Sequence, residues 1–437
     1  MRIIHTSDWH LGQHFYGKSR APEHQQFLNW LIEQSQSQQI DAIIVAGDIF
    51  DTGTPPSYAR EMYFDFIAKL HQANCQLVVL AGNHDSVAML SESQNLLQQL
   101  STRVISAVSD NMAEQVFVLN SLKTEQQAVI CAIPFIRPRD IVKSYAGQSA
   151  SEKQRSLQQA ITGHYQTLFS QAQTLSVENQ AEDTRLPIIA TGHLTTIGAS
   201  LSESVRDIYI GTLEAFPASE FPTADYIALG HIHRPQKVTK SEHIRYSGSP
   251  IALSFDEAKT EKSIVIAEFK NGELSDVELC PVPCFQALAM VKTQLETLTD
   301  NIMAVVEANH SERKENIWLD IEIESAEYLQ DLSVRIEQII AELPVEVLLV
   351  RRSKKSRLEM PSHEKKITLS ELSVQDVFDA RMELESWQSD EQQQRRTRLN
   401  SLYLDIAEQT QLASSAAHSP ELNSIIDNSS DTKTEQK

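Results

Sequence analysis

Cysteine is scarce, with only Cys75, Cys131, Cys280 and Cys284 in 437 residues. So few cannot cross-link a chain of this size, and a large core makes cross-links unnecessary. Cys280 and Cys284 form a Cys-Pro-Val-Pro-Cys run with no second Cys/His pair nearby to complete a tetrahedral zinc set, so they read as small buried hydrophobes. No stretch reaches the roughly 18 consecutive apolar residues of a membrane-spanning helix. Met1 leads into a strand-like Arg2-Ile3-Ile4 rather than a basic and then apolar leader, and a cytoplasmic location is expected. Positive charge is short as well. With 38 basic and 59 acidic residues the formal charge is −21, which excludes a nonspecific electrostatic grip on DNA or on an anionic membrane. Internal repeats are absent. So is any Gly-X-X-X-X-Gly-Lys-Ser/Thr phosphate loop, which excludes a phosphate-loop ATPase.

What is present is an ordinary globular composition, 41% hydrophobic and 22% charged. At roughly 100 to 200 residues per domain the length predicts two or three domains. Residues 1–275 alternate apolar strands with amphipathic helices, the pattern of an α/β layer architecture. Strands are expected at Arg2 to Thr6, Ala42 to Ala46, Leu77 to Ala81, Val129 to Ile133, Ile188 to Thr191, Tyr226 to Leu229 and Ser263 to Phe269. A helix opening at Pro55 and Pro56 carries Tyr58, Met62, Tyr63, Phe66, Ile67 and Leu70 at helical spacing, either core or a subunit interface. The polar, Gln-rich stretch from Gln171 to Arg185 reads as an exposed insertion.

Residues 276–358 form a second, smaller α/β unit. The expected order is a helix at Gln286 to Leu298, a strand at Ile317 to Ile323, a helix at Ser325 to Leu343 and a strand at Val345 to Val350. It ends in the densest basic cluster of the chain, Arg351, Arg352, Lys354, Lys355 and Arg357, equally readable as a phosphate-backbone patch or a solvated face. Residues 359–412 are expected to be helical, with a capping-box-like Ser373-Val374-Gln375-Asp376 and a later stripe of Leu399, Leu402, Tyr403 and Ile406. Residues 413–437 lack any hydrophobic period and are expected to be disordered.

The chemistry lies where strands end. Four strands finish in an apolar run, a glycine and a metal-competent residue: Gly47-Asp48, Gly82-Asn83-His84-Asp85, Gly192-His193 and Gly230-His231-Ile232-His233. The first strand ends in Ser7-Asp8-Trp9-His10, the same residue types without the glycine. Sites in open α/β sheets form beyond the carboxyl ends of strands, so these five ends can converge on one pocket, and glycine suits a sharp turn close to it. Carboxylate, amide oxygen and imidazole together are a borderline donor set suited to Mn²⁺, Fe or Zn. Seven candidate ligands (Asp8, His10, Asp48, Asn83, His193, His231, His233) exceed what one ion uses. Two ions sharing a carboxylate account for the number. The other histidines, His5, His14, His24, His71, His164, His243, His310, His363 and His418, have no such setting and read as structural or surface.

This series of Asp-X-His, Gly-Asp-X-X-Asp (Gly47 to Asp51), Gly-Asn-His-Asp, Gly-His and Gly-His-X-His resembles the calcineurin-like metallophosphoesterases. Further likeness, in Asp48 to Arg60, Ile133 to Asp140, Val205 to Gly211 and Tyr246 to Pro250, is to the DNA-processing nucleases within that family, and extends from Met1 to about Tyr403. The resemblance implies a metallophosphoesterase sandwich with a small α/β capping domain and C-terminal helices. It assigns Asp8, His10, Asp48 and His233 to one ion and Asp48, Asn83, His193 and His231 to the other, with Asp48 bridging and Mn²⁺ as the metal. His84 is left to steady the phosphate or protonate the leaving oxygen, and Asp51 to orient it and favour its charged form. The activity implied is phosphodiester hydrolysis in DNA repair, recombination and replication: ATP-dependent digestion of duplex ends and cutting of hairpins and single strands. Implied partners are DNA, a second copy of the chain held through the helices starting at Pro55 and at about Ser86, and a coiled-coil ATPase bound by residues 373–406, with two copies of each chain together. A phosphomonoesterase or cyclic-nucleotide phosphodiesterase is the alternative, but needs neither a cap nor a partner-binding extension. A non-catalytic scaffold has no reason to keep every ligand.

Overall fold

The strands form where β-branched and aliphatic runs lie between turn residues, and the central ones are buried on both faces, as in Ala42–Ala46 and Tyr226–Gly230. In the computed structural model they build two six-stranded sheets. The structure describes residues 1–142, 149–180, 184–197, 199, 200, 202, 204, 205, 215–309, 316–323 and 332–352, with a few positions between 382 and 399. In the first sheet Arg2–Thr6, Ala42–Ala46, Gln76–Leu80 and Thr102–Ile105 run parallel. Ser263–Lys270 and Glu273–Pro281 extend it antiparallel beside Arg2–Thr6. In the second sheet Gln127–Cys131, Ile188–His193, Tyr226–Gly230 and Ile244–Tyr246 are parallel, edged by antiparallel Val116–Asn120 and Gln236–Lys237.

The sheets pack face to face through small and branched side chains, among them Ile44, Ala46, Val78, Ile130, Ile189 and Ala228. Helices Ala21–Ser37 and Ser57–Gln72 cover the outer face of the first sheet, and Ala150–Glu178 covers that of the second. The result is the α/β sandwich expected from the alternating pattern. It brings the carboxyl ends of parallel strands from both sheets to one rim.

Four local expectations fail for identifiable reasons. The Gln-rich stretch is no exposed insertion through Glu178. It completes the 29-residue helix Ala150–Glu178, whose Leu168, Phe169, Ala172 and Ser176 are buried while the glutamines face outward. The helix opens with a full capping box between Ser149 and Glu152. The stripe on Ser57–Gln72, left open between core and a subunit interface, is core at its centre: Phe66 and Tyr63 are buried within the chain, and Phe66 meets Trp9 edge to face at 5.3 Å. Of its large apolar side chains that helix leaves Phe64 exposed, at 38%, and the second helix, expected to start at about Ser86, is two short helices, Val87–Glu92 and Gln94–Gln98, broken at Ser93. Cys280 is only partly buried and Cys284 is exposed.

The fourth difference lies in the smaller unit. Gln286 to Leu298 is not a helix; it holds the strand Leu288–Thr293, which pairs with Ile317–Ile323. Pairing in a three-stranded parallel sheet with Val345–Arg352 overrides the helix preference of Ala287 to Met290. Among the described residues the helices are Leu298–Asn309 and Leu332–Ile340; the start of the helix expected from Ser325 lies outside them. A boundary at residue 276 would cut the strand Glu273–Pro281, which belongs to the first large sheet; the chain leaves that sheet after Pro281. The small sheet meets the main body through a satellite core of Phe15, Phe255 and Leu288, with Trp318 stacked 6.0 Å from Phe15. Of the basic cluster, Arg351 is engaged with Asp320 inside the unit, and Lys354, Lys355 and Arg357 lie outside the described residues, as do Ser373 to Asp376, Leu402 to Ile406 and the tail.

His5 joins the two sheets, with Nδ1 2.9 Å from the Tyr226 hydroxyl and Nε2 3.1 Å from the Leu229 carbonyl. Burial pushes its imidazole down to about 3, so it folds uncharged. In the unfolded chain it protonates near 6.5. The folded state therefore has the full benefit of a neutral His5 above about 6.5 and loses it as the pH falls from there toward 3. A His5→Gln variant is expected to show a shallower fall of Tm between pH 6.5 and 4 than the parent protein in thermal melts. An unchanged slope would show that His5 carries no such linkage.

Candidate metal centre

At the rim, tight turns follow the strands. Asp8, His10, Asp48 and His231 all sit at positive φ, at 54°, 48°, 51° and 95°. Such conformations cost on the order of 1 kcal/mol or more each for non-glycine residues and gather at functional sites. The glycines before the ligands have a steric origin. A Cβ on Gly82 would stand 2.1 Å from Asp48 Oδ1, and one on Gly47 would stand 2.1 Å from His193 Nδ1. The space a side chain would fill is occupied by a donor from a neighbouring strand.

All seven candidate ligands meet here. Asp48 is central: Oδ2 lies 3.3 Å from His193 Nε2 and 3.7 Å from His10 Nε2, and Oδ1 accepts the His84 N–H at 2.9 Å. On one side, Asn83 Oδ1 stands 2.8 Å from His193 Nε2 and 3.2 Å from His231 Nδ1. On the other, Asp8, His10 and His233 have donor atoms within 4.8 Å of one another, as do Asp48, His193 and His231. Asp8 is tied across the sheets by the His231 N–H at 3.0 Å and also accepts the hydroxyl of its neighbour Ser7.

The outward nitrogens of the imidazoles are held by groups that only accept. His193 Nδ1 faces the Ala46 carbonyl at 2.9 Å, and His10 Nδ1 faces the Asp51 carboxylate at 3.2 Å. Both therefore carry a proton on Nδ1, which leaves Nε2 as the nitrogen that faces inward and can be given up to a metal. His10 Nε2 is buried without a hydrogen-bond partner, and so is His231 Nε2. Orphaned buried nitrogens beside two buried carboxylates fit a site built around cations.

Electrostatics agrees. Burial works against a charge on His193, yet Asp48 beside it outweighs that and raises its pKa to about 9. Burial opposes a charge on Asp48 too, and His193 and His10 overcome it, holding the carboxyl well below its usual range. His10 is raised against its own burial by Asp51 and Asp48, whereas burial and the neighbouring His193 push His231 well down. The buried carboxylates draw positive charge into the centre, and protons take the place that metal cations can fill.

His84 flanks the cluster, partly exposed, with its ring 4.7 Å from that of His10 and a donor atom within reach of His10 and Asp48. The Asp51 contact to it differs from the expected one: the main-chain carbonyl of Asp51 accepts from His84 Nδ1 at 2.7 Å, while the carboxylate meets His10. Three side chains have roles that sequence reasoning missed. Asp85 accepts the N–H groups of Ile49, Phe50 and Gly82, pinning the Asp48 and Asn83 loops together. It stood in the Gly-Asn-His-Asp run, and its place beside a ligand was the available signal. Glu257 lies 3.3 Å from His233 Nδ1 and pairs with buried Lys262 at 2.7 Å; no motif marks either residue.

The Calcineurin-like phosphoesterase family matches residues 1–235, and the family described as Type 5 capsule protein repressor C-terminal domain matches residues 284–386. SbcD of the nuclease SbcCD from Escherichia coli (strain K12) is 52% identical over 396 residues, 91% of this chain and 96% of that protein. The SbcD proteins of Rhodobacter capsulatus and Bacillus subtilis are 33% and 32% identical, over 62% and 75% of this chain and 67% and 80% of their own lengths. With a phosphoesterase family matched over residues 1–235, which include the rim, and a relative matched almost end to end, the chain belongs to the SbcD family of calcineurin-like phosphoesterases.

Proposed function

We propose that this chain is a metal-dependent DNA nuclease that hydrolyses phosphodiester bonds in a complex with the ATPase SbcC. The observation that carries the reading is the convergence of seven buried or partly buried donors, Asp48 at their centre, at the meeting rim of two sheets. Asp8, His10, Asp48 and His233 would hold one divalent ion, and Asp48, Asn83, His193 and His231 the other; the mixed carboxylate and imidazole set suits Mn²⁺, Fe or Zn, and the family resemblance points to Mn²⁺ among them. When bound, such a pair supplies a nucleophile at neutral pH and stabilises charge developing on the phosphate.

The chain's own residues do the rest. His84, with Nδ1 held by the Asp51 carbonyl, presents Nε2 at the partly exposed side of the cluster, where it can steady a phosphate oxygen or hand a proton to the leaving oxygen. Asp51 fixes His10 in the tautomer that points Nε2 inward. The small sheet packs beside this rim through Phe15 and Phe255 and acts as a cap that limits how duplex DNA approaches. Net charge of −21 leaves the nuclease chain little attraction for duplex, so the ATPase supplies the DNA grip. Residues 373–406 would bind the coiled coil of SbcC, giving ATP-dependent exonuclease action on duplex ends and endonuclease action on single strands and hairpins. A homodimer would use exposed Phe64 and Leu96, not the buried Phe66 stripe.

Asp48→Asn is expected to abolish cleavage of a hairpin-ended duplex by the complex with Mn²⁺ while circular dichroism shows an intact fold, because it weakens the donor shared by both ions. Near-parental turnover would remove the two-ion reading. His84→Ala is expected to bind the same number of Mn²⁺ ions but to cleave about 10² to 10⁴-fold more slowly. Loss of one bound equivalent in calorimetry would mean that His84 is a ligand.

A further inference from the structure

His233 poses a problem that the other imidazoles do not. An imidazole can bind a metal through one nitrogen only when the other carries the proton, and His233 could adopt either tautomer. Its Nδ1 lies 2.6 Å from the Ser204 hydroxyl, which can donate or accept and so leaves the tautomer open. The carboxylate behind that hydroxyl removes the ambiguity. Glu257 Oε1 stands 3.3 Å from His233 Nδ1 and also takes the hydroxyls of Ser202, at 2.7 Å, and Ser204. Its second oxygen takes the Lys262 ammonium at 2.7 Å and the Leu253 N–H at 3.0 Å. A carboxylate so paired accepts from every neighbour and donates to none. Ser204 must then point its proton at Glu257, and Nδ1 must carry the proton of His233.

We infer that Glu257 is a positioning residue of the metal centre: its carboxylate fixes His233 with Nδ1 protonated and Nε2 free for the ion shared with Asp8 and His10. The inference rests on the assignment of His233 to that ion. The surroundings argue against a merely structural ion pair. Lys262 already has the His233 carbonyl at 3.0 Å and Ser249 Oγ at 2.8 Å, so the whole of the Glu257–Lys262 pair is wrapped around the His233 segment. Glu257 has no room to drift, since it is fully buried at the end of the short turn Phe255–Glu257. Phe255 in that turn packs on Phe15, five residues after His10, and on Leu288 of the small sheet. The turn therefore braces the first ion's ligands from behind and is itself braced by the cap.

The test is Mn²⁺ binding to the full-length chain, by calorimetry and by electron paramagnetic resonance, with no DNA present. Glu257→Gln keeps the shape but can turn an N–H toward Nδ1, and is expected to weaken one of the two ions by about 10 to 100-fold while leaving the other unchanged. The resonance signal should change from that of a coupled pair to that of a single ion. Because Glu257→Gln strands the buried Lys262 charge, a Glu257→Gln/Lys262→Met double variant removes both charges and is expected to show the same selective loss. Either variant, folded and binding both ions at parental affinity, would overturn the inference. Should neither fold, nitrogen-15 spectra of the parent protein without metal decide: a His233 proton on Nδ1 supports the role, and one on Nε2 refutes it. His233→Ala separates this from the underlying assignment, since both ions binding unweakened there would remove His233 from the centre altogether.

Discussion

Two carboxylates buried at the seam between two sheets set the terms for the rest of the molecule. Asp8 and Asp48 are 0% and 1% exposed. Burying an ion costs on the order of several kcal/mol unless opposite charge and hydrogen bonds offset it. The compensation comes from both sheets at once. Asp8, from the first sheet, takes the N–H of His231 from the second; His193, from the second, reaches Asp48 and the Ala46 carbonyl of the first. Holding the site together and holding the sandwich together are therefore the same task at this rim. The positive-φ turns and the glycines emptied of side chains are the local strain by which the strand ends come close enough.

This dependence explains what could be read without coordinates. Every candidate ligand lies within a few residues of an apolar run, since each is delivered by the end of a strand, and at Gly47 and Gly82 the glycine marks where another donor needs the space. Such signals are local in the chain. Glu257 and Lys262 were illegible for the opposite reason: a five-residue separation within the polar run Glu-Ala-Lys-Thr-Glu-Lys looks like any surface turn, and only folding sets them behind His233. Asp51 stood in a readable motif, but which of its oxygens would meet which histidine depends on the turn geometry.

The misread elements share a cause. Ala150–Glu178 presents a polar outer face so rich in glutamine that its buried stripe of Leu168, Phe169 and Ala172 is easily missed. Leu288–Thr293 has helix-favouring residues and becomes a strand because Ile317–Ile323 offers it a partner. The Phe66 helix was not misread: its periodicity left open whether the face is buried against its own sheet or against another copy of the chain, and packing on the first sheet decides for the former. Each time the deciding term was tertiary packing.

The central claim is that Asp48 lies between two cations. Its most direct test is a crystal structure of the protein grown with Mn²⁺, with anomalous differences measured near the manganese edge. The account predicts two peaks per chain about 3.5 to 4 Å apart, one among Asp8, His10, Asp48 and His233 and the other among Asp48, Asn83, His193 and His231. A single peak, or a pair that leaves Asp48 in contact with only one ion, would contradict it.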